Sequence, residues 1–255
     1  MTERAAQRRA RRNAPGNQVT LRFTSTRRRA LKLLVFASLA PPLTGVMSPA
    51  AADSDVDAVM ARVIDANRAA VHGVVGFQSD SRLRVGAGFY HRLEQERRWF
   101  VLGDGMLVKT GLRPGSDAPF GKPAEQQSHE PWGPYGDEYR FADAPCPRCA
   151  AGLVAIAFQS AIHDTQHGSG VLIVDAAHDR VLHETQEPYV LHGDARTGVI
   201  DIDFGDTGVG WLPRELRGTF TGNVGPFSGS AHLTQAFAEY RHYPSPEAAA
   251  SALGS

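Results

Sequence analysis

The chain has 255 residues, two cysteines, and 27 basic residues matched by 27 acidic ones, for a formal net charge of zero. That balance is uneven: residues 1–52 hold ten of the basic groups and one of the acidic ones, so the remaining 203 residues carry 17 and 26, a net of −9. An acidic domain without a basic stripe has nothing to release counterions from a phosphate backbone, which excludes nucleic acid as a partner, and its length suits one domain around one core.

The N-terminal stretch reads as an export signal. Arg4, Arg8, Arg9, Arg11, Arg12, Arg22, Arg27, Arg28, Arg29 and Lys32 face one acid, Glu3. An apolar run, "LKLLVFASLAPPLTGVM", follows and is broken by Pro41 and Pro42; "SPAAAD" then offers Ala50 and Ala52 in an A-x-A arrangement. Charged region, short apolar region and small-residue cleavage site predict a signal peptide over 1–52, too short and broken to span a bilayer. Within it "STRRRALK" resembles the twin-arginine export motif, with Arg27 and Arg28 as the pair, although Ala30 stands where a larger apolar residue is usual. The expected mature protein lies in the periplasm or cell envelope and has no transmembrane segment.

The first element of that mature chain is a helix, "SDVDAVMARVIDANRAAVHG". Val56, Val59, Met60, Val63, Ile64, Ala70 and Val71 recur at three and four, Ser54 is placed to cap the start, and Gly73 can end it. Alternation at a period of two follows. Phe77, Leu83, Val85, Ala87 and Phe89 fall on one face, with Gln78, Asp80, Arg82 and Arg84 on the other. "RRWFVLGDGMLVKT" carries a hairpin turn at "GDG", and "GVLIVDAAHDRVLHET" repeats the pattern around "DAAHD". In "GVIDIDFG", Ile200, Ile202 and Phe204 point inward; in "AHLTQAFAEYRHY", Ala231, Leu233 and Phe237 share a face. The Pro/Gly-rich stretch from Leu112 to Pro145 is expected as a long connection serving as a lid or a functional loop, or as a disordered segment. One domain is therefore expected over 53–245, with a short tail at 246–255.

"CPRCAAGLVAIAFQSAIHDTQH" has the spacing C-x2-C-x13-H-x3-H of a two-Cys, two-His zinc site. Its spacer alternates, with Val154, Ile156 and Phe158 on one face, so a strand and not a finger helix separates the pairs. In an oxidising compartment, Cys146 and Cys149 are expected to form a disulfide; a redox pair or a metal site is the alternative. His163 and His167 would ligate a metal at i, i+4 only on a helix, and Gly168 and Gly170 favour a loop. "GDTGVG" has the wrong order for a dinucleotide loop, and neither G-x-S-x-G nor H-E-x-x-H occurs. No catalytic set and no cofactor emerge.

The order of a helix and strand in "VMARVIDANRAAVHGVVGFQSD", then "WFVLGDGMLV" and a terminal "LTQAFAEYRHY", resembles the periplasmic lipoprotein-carrier superfamily, the LolA/LolB-like domains and their lipid-binding and sigma-regulator relatives. The resemblance implies an α+β, mostly β fold: a strongly curved antiparallel sheet, an incomplete barrel, covered by an N-terminal helix and loops over an apolar cavity for acyl chains. It implies a non-enzymatic binding protein for a lipid or lipoprotein acyl chain. Periodicity offers Val63, Ile64, Leu83, Val85, Phe89, Phe100, Ile156 and Phe158 as lining. The rival readings are an exported metal- or redox-dependent enzyme built on Cys146, Cys149, His163 and His167, and an envelope domain that docks a protein partner.

Overall fold

The computed structural model describes residues 55–116, 129–147, 149–191, 195–224 and 227–255. The signal reading over 1–52, the predicted cap Ser54 and part of the predicted long loop lie outside the described residues. The first helix, α1 (Val56–Ala70), is capped by Asp55, whose carboxylate accepts from the Ala58 N–H at 3.1 Å. The cap thus falls one residue later than the sequence suggests, because Asp55 satisfies a first-turn N–H while its charge meets the positive end of the helix. Val59, Met60, Val63, Ile64 and Asn67 form its buried face.

Ten strands follow: β1 (Val74–Ala87), β2 (Tyr90–Gly103), β3 (Met106–Leu112), β4 (Tyr139–Ala144), β5 (Leu153–Ser160), β6 (Gly168–Asp175), β7 (Arg180–Pro188), β8 (Ala195–Asp206), β9 (Trp211–Val224) and β10 (Phe227–Tyr243). They make one antiparallel sheet in the order β3-β2-β1-β10-β9-β8-β7-β6-β5-β4. The two end strands do not pair with each other, so the sheet is open. The fold is α+β and mostly β.

The turns follow local chemistry. Asp104 and Gly105, at φ 49 and 82, join β2 to β3; both positive angles are what a tight two-residue hairpin of the right twist requires. Gly88, at φ 59, and Phe89 join β1 to β2. Register shifts bend the sheet at Gly76/Gln78, Val101/Leu102, Ile173/Val174, Ala195/Thr197 and Asp203/Phe204, since each extra residue kinks its strand and increases the twist.

Directly opposed residues share a face, so register traces that face across the sheet. One row runs Ile156, Leu172, Glu184, Ile202, Leu216, Gln235, Ser81, Glu96. The next runs Phe158, Gly170, Gln186, Ile200, Gly218, Leu233, Leu83, Glu94. The β5–β6 end of this face is covered by α1: Val59, Met60 and Val63 join Ile156, Phe158, Leu172 and Val174 in one buried cluster with Trp132 and Tyr139. The Phe158 ring lies so close over β6 that a side chain at Gly170 would meet it at 2.9 Å and the Thr185 carbonyl at 1.9 Å.

Three regions differ from the sequence reading. The supposed long loop contains β4, which pairs with β5 from Tyr139–Ser160 to Ala144–Ala155; its six residues are too few, among Pro and Gly, to show a period. The supposed tail is a second helix, α2 (Pro246–Leu253), capped by Ser245, with Pro246 in its first turn. Ala249 and Leu253 bury against Val101 on the outer face of β2. Strand β9 contains Pro213, which a central strand normally excludes. Pro213 is accommodated because it lies beyond the last β9–β10 pair, Glu215–Ala236, where no ladder bond is lost on that side. No described helix is long and apolar enough to cross a membrane.

Candidate functional site

Beyond the edge of α1, the same inner face stays uncovered and encloses a cavity of about 640 Å³. Residues from β1, β2, β7, β8, β9 and β10 all line it, which requires the sheet to curl around them. Its apolar wall includes Leu83, Phe100, Ile200, Leu216, Phe220 and Leu233. One end is closed by aromatics: Phe77 stacks on Phe100 at 5.1 Å and on Tyr240 at 4.7 Å, with Phe237 edge-on at 6.0 Å. Such contacts fix ring positions and so hold the end of the chamber rigid.

Some of the wall's polar groups pair with one another. Arg98 donates through Nε and Nη2 to the Glu96 carboxylate, both side chains being almost fully buried. Gln235 donates to Ser79 Oγ at 2.7 Å. The segment 130–135 and the residues Thr165, Gln166 and His167 complete the wall. Trp132 donates its indole N–H to Glu184 at 2.6 Å. Burial pushes the Glu184 carboxyl well above the usual carboxylate range, and the neighbouring Glu130 charge pushes it further; the neutral acid is thereby favoured. His167 is held in the opposite sense. Its burial disfavours charge, but hydrogen bonds to Asp164 and Glu138 raise its pKa above the ordinary imidazole value.

Of the lining residues expected from periodicity, Leu83 and Phe100 face the cavity. Ile156 and Phe158 lie on the same face of the sheet but under α1, in packed core with Val63. Ile64 packs against Gly136, with a terminal carbon 2.3 Å from where a β-carbon there would sit. Val85 is half-buried, opposite Ala231 and Arg92. Phe89 is 85% exposed: it occupies the β1–β2 turn, where strand alternation no longer decides direction, and it meets Phe227 edge-on at 5.3 Å.

The sequence reading missed β9 as a strand, and with it Leu216 and Phe220, because Pro213 and two glycines mask the alternation Leu216, Gly218, Phe220. Ile200, Ile202, Ala231, Leu233 and Phe237 were legible as inward-facing, and all five line the cavity.

The two-Cys, two-His set does not converge. Cys146 and Cys149 are disulfide-bonded to each other. His163 is exposed and stacks on Tyr189 at 4.1 Å, in a loop where i and i+4 share no helical face. His167 turns elsewhere, with Nδ1 2.7 Å from Asp164 and Nε2 2.8 Å from Glu138.

No family model and no curated protein matches the chain. Solved structures do. A LolA-superfamily protein from Nitrosomonas europaea is 10% identical over 75% of this chain and 95% of its own, at a TM-score of 0.39. A DUF1329-family protein from Desulfovibrio piger is 10% identical over 78% and 98%, at 0.43. A domain assigned to outer-membrane lipoprotein sorting in Vibrio parahaemolyticus is 12% identical over 71% and 91%, at 0.36. These likenesses concern the arrangement of strands and helices, not individual residues of the cavity.

Proposed function

We propose that this chain is an exported, non-enzymatic binding protein that holds the acyl chain of a lipid or lipoprotein in the cavity between sheet and helix. The observation that carries this reading is the cavity itself: about 640 Å³, walled chiefly by apolar side chains. That volume falls within the range of roughly 300 to 1,000 Å³ of small-molecule sites. An alkyl chain entering it gains about 0.8 kcal/mol per buried CH₂. Within the wall Arg98 pairs with Glu96 and Gln235 with Ser79, so an alkyl chain meets these polar groups already engaged with one another. Leu83 and Phe100 are assigned to this wall; Phe89 is not. The export signal read over 1–52 supports a site of action in the periplasm or cell envelope.

Native mass spectrometry of the purified mature protein tests the reading. The expected spectrum shows a lipid-sized mass increment that organic extraction removes, and the stripped protein then takes up one equivalent of a fluorescent fatty-acid probe. A protein that carries no lipid and binds no probe would refute acyl-chain carriage.

A further inference from the structure

At the edge of the cavity, three side chains from separate parts of the sequence point at one spot. Glu138 ends the short 3-10 turn Gly136–Glu138 that leads into β4. Its Oε2 lies 2.7 Å from His129 Nδ1 and 2.8 Å from His167 Nε2. The three potential ligand atoms all lie within 4.8 Å of one another. Each is held by its surroundings. The His129 N–H donates to the Gln166 carbonyl at 3.0 Å, and its own carbonyl accepts from the Tyr139 hydroxyl. Ser160 donates to the Glu138 carbonyl at 3.0 Å. The His129 ring is sandwiched flat on Tyr135 at 3.7 Å and meets the His167 ring edge-on at 4.8 Å.

The far nitrogen of His167 supplies a second observation. Nδ1 is 2.7 Å from Asp164 Oδ1, and that oxygen is fixed by the backbone N–H groups of Gln166 at 2.8 Å and His167 at 3.1 Å. A carboxylate on the remote nitrogen of a ligating histidine sets its tautomer and orients the ring, as the outer shell of metal sites commonly does.

We propose that His129, Glu138 and His167 form a binding site for a zinc-class divalent cation, with Asp164 holding His167 in the ligating tautomer and a fourth position open to water. Two imidazoles and one carboxylate suit zinc and its neighbours, not magnesium or calcium, which prefer all-oxygen sets. Tetrahedral zinc at about 2.0–2.1 Å from nitrogen needs ligand atoms about 3.4 Å apart. Binding therefore requires the Glu138 carboxylate, 28% exposed, to retreat by roughly 0.6 Å and the two ring nitrogens, within 4.8 Å of each other here, to close by roughly 1.4 Å. The cysteines, bonded to each other, contribute nothing. The ion would join the segment leading into β4 to the loop leading into β6, and both border the cavity through Tyr135 and His167. The proposal is independent of what the cavity holds.

The test uses the metal-stripped mature protein, titrated calorimetrically with zinc and separately with magnesium. One zinc per chain is expected, with no magnesium bound at the same concentrations. His129→Ala and His167→Ala should each abolish tight binding, and Asp164→Asn should weaken it by about 10- to 100-fold. His163→Ala, at the exposed histidine outside the set, should leave it unchanged. Cobalt uptake by the unmutated protein, read from its visible absorption, reports a low-coordinate nitrogen and oxygen site without relying on any variant to fold. Absence of zinc and cobalt uptake would overturn the proposal, as would tight binding that survives in folded His129→Ala or His167→Ala.

Discussion

Leu233→Asp separates the cavity from the core. Leu233 sits at the middle of the inner face, with Leu83 on one side and Gly218 on the other in direct register, so neither cross-strand neighbour offers a cation or a donor side chain. In the empty protein a carboxylate here stays hydrated within the cavity, and the melting temperature should fall only modestly. When an alkyl chain enters, that carboxylate must lose water without gaining a partner, at a cost of several kcal/mol. Ten buried methylenes contribute about 8 kcal/mol before association costs. A penalty of about 3 kcal/mol therefore removes about a hundredfold of the affinity. Phe158→Ala provides the contrast: Phe158 is 2% exposed under α1, and truncation there should cost about 3–5 kcal/mol of stability. The assay is titration of a fluorescent fatty acid into both variants, with folding followed by circular dichroism. A folded Leu233→Asp protein that binds the probe as tightly as the unmutated one would refute the location of the site.

Three further outcomes are expected. Glu184, whose carboxyl is raised first by burial and then by Glu130, keeps its proton in the folded state at pH values where the unfolded chain has lost it. Its contribution is fully present below the unfolded value, near 4.5, and is lost as pH rises through the raised folded value. Glu184→Gln, which retains an acceptor for Trp132, should therefore gain in melting temperature relative to the unmutated protein between about pH 5 and 8; a difference that is flat with pH would refute this. Replacing Cys146 and Cys149 by serine opens a small ring and should cost at most about 2 kcal/mol, leaving probe binding intact because the pair lies in the β4–β5 connection at the sheet's outer edge; lost binding by the folded variant would contradict that placement. If export uses the twin-arginine route, replacing Arg27 and Arg28 by lysine should leave uncleaved precursor in the cytoplasm, and unchanged export would eliminate that route in favour of the general secretory one.

What the sequence determines by itself is the local period of each segment and the chemistry of its turns. The alternation of Ile200 with Ile202, and of Ala231 with Leu233, set the inward face because successive strand residues point to opposite sides. Asp104 and Gly105 marked a hairpin because both tolerate positive φ, and two cysteines three apart lay within bonding reach of each other. Period could not say which part of that inward face stays open. Ile156, Phe158, Leu83 and Leu233 carry the same alternation, yet α1 covers the first two and leaves the second two facing a cavity. That division depends on where a helix docks against strands a hundred residues away, which no local pattern encodes. The same limit hid the β9 wall, where Pro213 broke the alternation that the end of the β9–β10 ladder makes harmless. It also hid the metal set: His129, Glu138 and His167 are separated by 9 and 29 residues along the chain. Only the folding of β4 against β5 and of Gln166 against His129 brings their ligand atoms to one point. Spacing finds ligands that share a helix or a turn; ligands that meet across a sheet are assembled by tertiary structure alone.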